Sequence, residues 1–154
     1  MKDIYPRKSI IFVCLGNICR SPIAQGYATQ LAMKKSLDIQ VDSAGTSGWH
    51  VGEAPCENSI KICQANGIDI SKYIASHFTK KDISSYDLVV ALDESNLNDL
   101  KALGAKNLVK LGDYGFNSED VPDPYFFKEY TGFEKVFTMI ETCIEKLFED
   151  ELIN

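Results

Sequence analysis

The stretch VCLGNICRSP, residues 13–22, gathers the thiol of Cys14, the guanidinium of Arg20 and the hydroxyl of Ser21 into a C-x5-R-S pattern. The chain has only two arginines, Arg7 and Arg20. A cysteine beside a helix N-terminus and a cation is expected to ionise about one to several units below the ~8.5 of a free thiol. Cys14 is therefore expected to be a thiolate, the nucleophilic form of cysteine. Between the two, Gly16 permits backbone shapes closed to other residues, and Asn17 tolerates left-handed conformations. A tight loop running into a helix start turns successive N–H groups inward as an anion nest, and the helix dipole adds positive character there. The planar fork of Arg20 suits two phosphate oxygens. The loop from Cys14 to Arg20 is thus expected to hold a tetrahedral oxyanion, and Cys14 to attack it, forming a phosphocysteine. Ser21 would donate its hydroxyl to the sulfur and later to the departing thiolate.

A leaving phenolate or alkoxide needs a proton. The candidate donor is Asp123 in VPDPY, held rigid by a proline on each side. Once the leaving group has gone, its carboxylate can activate the hydrolytic water.

The surrounding pattern positions these groups. SIIFVCL (9–15) is a short, β-branched, almost wholly apolar run, the signature of a strand buried on both faces. SPIAQGYATQLAMKKS (21–36) reads as a helix with Ser21 as N-cap and Pro22 in the first position. Strands follow at 39–45, 87–93 and 107–112, and helices at 56–67, 94–104 and 133–152, the second and third of the four stopped by Gly67 and Gly104. The last helix repeats apolar residues from Phe133 through Ile140 to Phe148 on one face. Residues 46–55 and 113–132 read as loops. Strand alternating with helix predicts an α/β fold, a four-stranded parallel sheet with helices on both faces, flavodoxin-like. In such sheets ligands bind beyond the carboxyl ends of the strands. Cys14 lies at that end of the first strand, and the loop carrying Asp123 follows the fourth, so both are expected at one edge.

A length of 154 residues is most simply one domain, 1–154. No apolar run approaches the ~20 residues of a membrane span, and the N-terminal pattern does not resemble a cleaved signal, so a cytoplasmic protein is expected, without membrane association. A net charge of −6 and a pI near 4.9 argue against nucleic-acid binding, though one pocket can still be locally positive. Five cysteines without regular spacing, and two distant histidines, His50 and His77, argue against both a disulfide framework and a zinc site. Reduced thiols, no metal and no cofactor are expected. His50 and His77 read as surface or structural residues, and Cys143 as core.

With these residues in view, the chain closely resembles the low-molecular-weight protein tyrosine phosphatases. VCLGNICRSPIAQ, VDSAGTSGWHVGEAP, LDESNL and DPYF carry the resemblance, in the family's order. The resemblance implies that Cys14 is the nucleophile, Arg20 the phosphate clamp and Asp123 the general acid. It implies that Leu15, Gly16, Asn17, Ile18, Cys19 and Ser21 surround the phosphate, that Asn17, Ser21 and Ser43 share a hydrogen-bond network, and that Trp49 and Tyr125 wall an aromatic ring. On the residues alone, Trp49 reads equally well as a half-exposed core residue. Cys19 is either a small buried hydrophobe or, as the resemblance implies, a resolving thiol that closes a reversible disulfide with Cys14. The implied substrates are phosphotyrosine-containing proteins, with inorganic phosphate as product or inhibitor, acted on by a monomer or weak dimer. Two departures stand out: Phe126 replaces a second tyrosine after Tyr125, and Ser76 follows Ala75 where many members have arginine.

Two other activities fit parts of the pattern. Arsenate reductases on this fold use two further cysteines seven apart, the spacing of Cys56 and Cys63, but theirs follow the third strand, where this chain reads LDESNL. Phosphoarginine phosphatases of this kind carry a small threonine at the position of Ile18, and the bulk of Ile18 favours a flat aryl ester.

Overall fold

The computed structural model describes residues 9–124 and 130–152. Four parallel strands, β1 (Ser9–Cys14), β2 (Gln40–Gly45), β3 (Leu88–Ala91) and β4 (Leu108–Lys110), form one sheet in the order β2-β1-β3-β4. Four helices, α1 (Arg20–Lys34), α2 (Glu57–Ala65), α3 (Glu94–Leu103) and α4 (Thr131–Leu147), connect and cover it. The expected α/β class, parallel sheet and helices on both faces are all present.

The alternation of side chains along β1 explains its unbroken apolar sequence. Ile10, Phe12 and Cys14 point into the core formed with α1 and α4, where Ile23, Tyr27, Val136, Phe137 and Ile140 pack. Ile11 and Val13 point to the opposite face, against Phe78, Val89 and Leu100 of α3. A strand covered on both sides has no solvent face on which a polar residue would be favourable.

Element ends follow ordinary capping chemistry in part. Asp93 caps α3 by accepting the Asn96 N–H at 2.7 Å, and Gly104 closes that helix in the left-handed region at φ 98°. The expectation for α1 is corrected: the helix starts at Arg20, not after Ser21, and no side chain caps it. Ser21 is unavailable as a cap because its hydroxyl is engaged with Cys14 and Asn17 in the loop between β1 and α1. The expected last helix ends sooner than 152; α4 closes at Leu147 and continues as a wider π-helical turn, Phe148–Leu152.

The chain reverses direction across the sheet at β1, with β2 on one side and β3 on the other. That is the switch point at which a crevice opens beyond the carboxyl ends of the strands. Cys14 is the last residue of β1, in register with Gly45 at the end of β2.

Candidate active site

Cys14 lies at the foot of a cavity of about 380 Å³ whose lining includes Leu15, Gly16, Ile18, Arg20, Trp49 and Asp123. The residue is 2% exposed, and its sulfur has two hydrogen-bond neighbours. The Asn17 N–H donates to Sγ at 3.3 Å, and the Ser21 Oγ lies 3.0 Å away. Asn17 adopts φ 59°, the left-handed conformation expected of it. Gly16 serves a different purpose from the one its sequence suggests. Its backbone is not left-handed; a Cβ there would meet the His50 ring at 2.9 Å, so glycine leaves room for the imidazole to close over the loop.

The Asn17 side chain ties the loop to its surroundings. Its Oδ1 accepts the Ser76 N–H at 2.9 Å, and its Nδ2 donates to Ser21 Oγ at 2.7 Å and to Ser43 Oγ at 2.9 Å. The three residues Asn17, Ser21 and Ser43 are thus brought together as expected. The uncapped start of α1 leaves its first N–H groups without side-chain partners at the same place, an arrangement that favours an anion.

Arg20 is buried, and its guanidinium is aimed by three oxygens. Nη1 donates to Asp93 Oδ2 at 2.6 Å and to the Val121 carbonyl at 3.0 Å, while Nη2 lies 3.7 Å from Asp123 Oδ2. Burial alone would pull its pKa down, but the Cys14 charge and the Asp93 and Asp123 carboxylates outweigh it and hold the pKa above the ordinary arginine value. A guanidinium stays charged throughout, so burial here requires such partners. The loop bearing Asp123 is pinned to the sheet just upstream. Asp120 Oδ1 accepts the Glu94 N–H at 2.9 Å and pairs with Lys110 at 2.8 Å, and the Val121 N–H donates to the Leu92 carbonyl at 2.9 Å. These contacts deliver Asp123 to the strand edge that holds Cys14.

Trp49 is 74% exposed and lines the same cavity, which does not fit a core position. Tyr125, expected opposite it, lies outside the described residues, as does Phe126.

A sequence profile described as low molecular weight phosphotyrosine protein phosphatase matches residues 9–153. The chain belongs to this family. It is 42% identical over 148 residues to the low molecular weight protein-tyrosine-phosphatase YfkJ of Bacillus subtilis, covering 90% of this chain and 92% of that one. The crystal structure of YfkJ matches with a TM-score of 0.87 over 96% of each chain, at 36% identity. The Drosophila arginine phosphatase DARP matches with a TM-score of 0.85 at 28% identity, over 92% of this chain and 96% of that one.

Against this family background, the cysteines depart from expectation. Cys19 is bonded to Cys56, so the expectation of reduced thiols throughout is corrected, and Cys19 is not joined to Cys14. The backbone explains the pairing. The Cys56 N–H donates to the Ile18 carbonyl at 2.6 Å and Ser59 Oγ to the Cys19 carbonyl at 3.0 Å. These bonds bring the two Cα atoms to 5.3 Å, within disulfide reach. The disulfide staples the loop between β1 and α1 to the start of α2. Because Cys56 is committed to Cys19 and Cys63 is buried in the core, the seven-residue spacing forms no dithiol pair. Burial pushes the Cys63 and Cys143 thiols up to about 12, which makes both poor nucleophiles near neutrality.

Sequence reading missed Asp93 and His50. Asp93 ends the expected third strand and opens a helix, so it reads as a cap; its position at the carboxyl end of β3, beside that of β1, was the available signal. His50 keeps the surface position expected of it, its side chain 37% exposed, but it also lines the cavity and contacts Glu53 at 3.1 Å. Among the described residues no group of three or more His, Cys, Asp or Glu side chains could hold a metal ion, and no helix is long and apolar enough to cross a membrane.

Proposed function

We propose that this phosphatase hydrolyses phosphotyrosine and related aryl phosphate monoesters through a phosphocysteine intermediate. The observation that carries the reading is the donor set around Cys14: the Asn17 N–H and the Ser21 hydroxyl both reach its sulfur at the foot of a cavity that also holds Arg20 and Asp123. Donors placed around a sulfur favour its anionic form, and the negative sulfur is the attacking atom.

The phosphoryl group enters the cup with its oxygens on the loop N–H groups, the start of α1 and the fork of Arg20. Sulfur attacks phosphorus in line with the ester oxygen, forming an S–P bond as the P–O bond breaks. Asp123, carrying a proton, delivers it to the leaving phenolate. The equatorial oxygens keep their donors as charge redistributes, and such fixed donors account for most of the catalysis of phosphoryl transfer. In the second half Asp123, now a carboxylate, takes a proton from water as the water oxygen attacks phosphorus. The S–P bond breaks, and Ser21 donates to the departing thiolate. Inorganic phosphate leaves and competes with substrate for the same cup.

Trp49 at the mouth and the bulk of Ile18 in the lining support an aryl ester over phosphoarginine. Turnover of phosphotyrosine, phosphoserine and phosphoarginine peptides, measured for the wild type and Cys14→Ser, tests the reading. Phosphotyrosine is expected to be strongly preferred and Cys14→Ser inert; preference for phosphoarginine, or turnover by the serine variant, would contradict it.

A further inference from the structure

The hydrogen bonds around the phosphate loop have a direction, and the direction does not end at Ser43. Asn17 fixes the starting point. A backbone N–H can only donate, so the bond from Ser76 N identifies the Asn17 oxygen and leaves its Nδ2 facing the two hydroxyls. Both Nδ2 hydrogens are then spent, one on Ser21 Oγ and one on Ser43 Oγ. Each hydroxyl has become an acceptor toward Asn17 and must aim its own proton elsewhere. Ser21 aims at Cys14 Sγ, 3.0 Å away. Ser43 donates to Gln25 Oε1 at 2.6 Å.

Gln25 belongs to the same helix as Ser21, four residues further on, so both face β2 from one side of α1. Its Nε2 points to the Val41 carbonyl at 3.4 Å, a long contact that still orients the amide with its oxygen toward Ser43. The chain therefore runs Ser43 to Gln25 at one end and Ser21 to Cys14 at the other, with Asn17 donating into both. Without an acceptor at position 25, the Ser43 proton loses this partner and competes with the Asn17 hydrogens. Asn17 then loses an acceptor, and its grip on Ser21 loosens.

We infer that Gln25 is a positioning residue of the catalytic cup: its Oε1 terminates a one-way chain of hydrogen bonds that commits the Ser21 hydroxyl proton to the Cys14 sulfur. The inference rests on the proposed role of Cys14 as nucleophile. It assigns to the second turn of α1 a task beyond packing, exercised through Ser43 and Asn17 and not through contact with substrate.

The test compares wild type with Gln25→Met, which keeps length and removes the acceptor, and Gln25→Glu, which keeps an acceptor. Ser43→Ala cuts the chain one step nearer the sulfur, and Cys14→Ser is the control. The charged and titratable side chains at the cup, Arg20, Asp93, Asp123 and His50, are unchanged in the Gln25 variants. The readouts are the rate of Cys14 alkylation by iodoacetamide at acidic and alkaline pH, kcat and KM for phosphotyrosine, and the thermal midpoint.

For Gln25→Met, alkylation in mild acid and kcat are expected to fall about fivefold, the factor carried by one net hydrogen bond of ~1 kcal/mol. The alkylation deficit should be smaller in alkaline than in acidic solution. KM and the thermal midpoint should stay near wild type, Gln25→Glu should recover most of the lost rate, and Ser43→Ala should reproduce the Gln25→Met profile. Wild-type kinetics in Gln25→Met, an equal deficit at both pH values, or an equal loss in Gln25→Glu would overturn the inference. If Gln25→Met is too unstable to assay, Ser43→Ala decides: a pH-independent deficit there overturns it. Activity in Cys14→Ser would instead overturn the nucleophile assignment, so the two failures are distinguishable.

Discussion

The two oxygens of Asp93 perform separate tasks, and that separation makes a quantitative prediction. Oδ1 caps α3 through the Asn96 N–H at 2.7 Å, and Oδ2 holds Arg20 Nη1 at 2.6 Å. The side chain of Arg20 is only 3% exposed and that of Asp93 17%, so their contact is poorly screened. Breaking a fully buried ion pair costs about 3–5 kcal/mol. Here the guanidinium keeps the Val121 carbonyl at 3.0 Å and Asp123 at 3.7 Å, which lowers the expected loss to that of one charge-assisted hydrogen bond, about 2 kcal/mol. Asp93→Asn retains an oxygen for the cap and loses only this term. Asp93→Ala loses the cap as well, a further ~1 kcal/mol. At roughly 2–4 °C per kcal/mol for a chain of this size, Asp93→Asn should lower the thermal midpoint by about 4–8 °C and Asp93→Ala by about 6–12 °C. Bound in the proposed cup, inorganic phosphate would supply a replacement counter-charge for Arg20. At 100 times its Kd it adds about 2.7 kcal/mol to any form that binds it, and should recover most of the loss in both variants. Scanning calorimetry with and without phosphate, alongside kcat/KM for an aryl phosphate, is the assay. Because a displaced fork misplaces the phosphoryl group, kcat/KM should also fall, by about tenfold to a hundredfold. An unchanged midpoint in Asp93→Asn would refute the ion-pair reasoning, and equal midpoints in the two variants would refute the cap.

Alkylation near neutral pH should modify Cys14 and spare Cys63 and Cys143, whose thiols burial pushes up to about 12; peptide mapping that finds either core cysteine modified in the folded protein would contradict this. Because Cys19 is bonded to Cys56, peroxide should carry Cys14 past the sulfenic stage without a resolving partner. Dithiothreitol added after peroxide should then recover less activity in the wild type than in Cys56→Ser, which frees Cys19; equal recovery would show that the disulfide has no such effect. Asp123→Ala should slow substrates with poor leaving groups by about 10²–10⁴-fold and those with good ones much less. Equal slowing across leaving groups would remove Asp123 from the role of general acid.

The sheet was legible because β1 has no polar residue among Ile10, Ile11, Phe12 and Val13, and only a strand covered on both faces tolerates that pattern. Cys14 and Arg20 were legible because loop, strand end and helix start are contiguous in sequence. Long-range partners were not. Asp93 meets Arg20 across 73 residues and Cys56 meets Cys19 across 37, and neither contact leaves a local periodic trace. Ser21 was misread as a cap because a serine before Pro22 has two uses for its hydroxyl, and tertiary structure chose the sulfur. His50 was overlooked because only the folded approach of the 46–55 loop to Gly16 reveals what the glycine accommodates.

The central claim is that the Cys14 sulfur becomes bonded to phosphorus during turnover. Acid quenching of the enzyme mixed with an excess of aryl phosphate, followed by mass analysis of its peptides, tests this directly. A peptide containing Cys14 should gain the mass of one phosphoryl group, and the gain should vanish in Cys14→Ser. Phosphate found on another residue, or product formed with no covalent adduct at any quench time, would contradict the account.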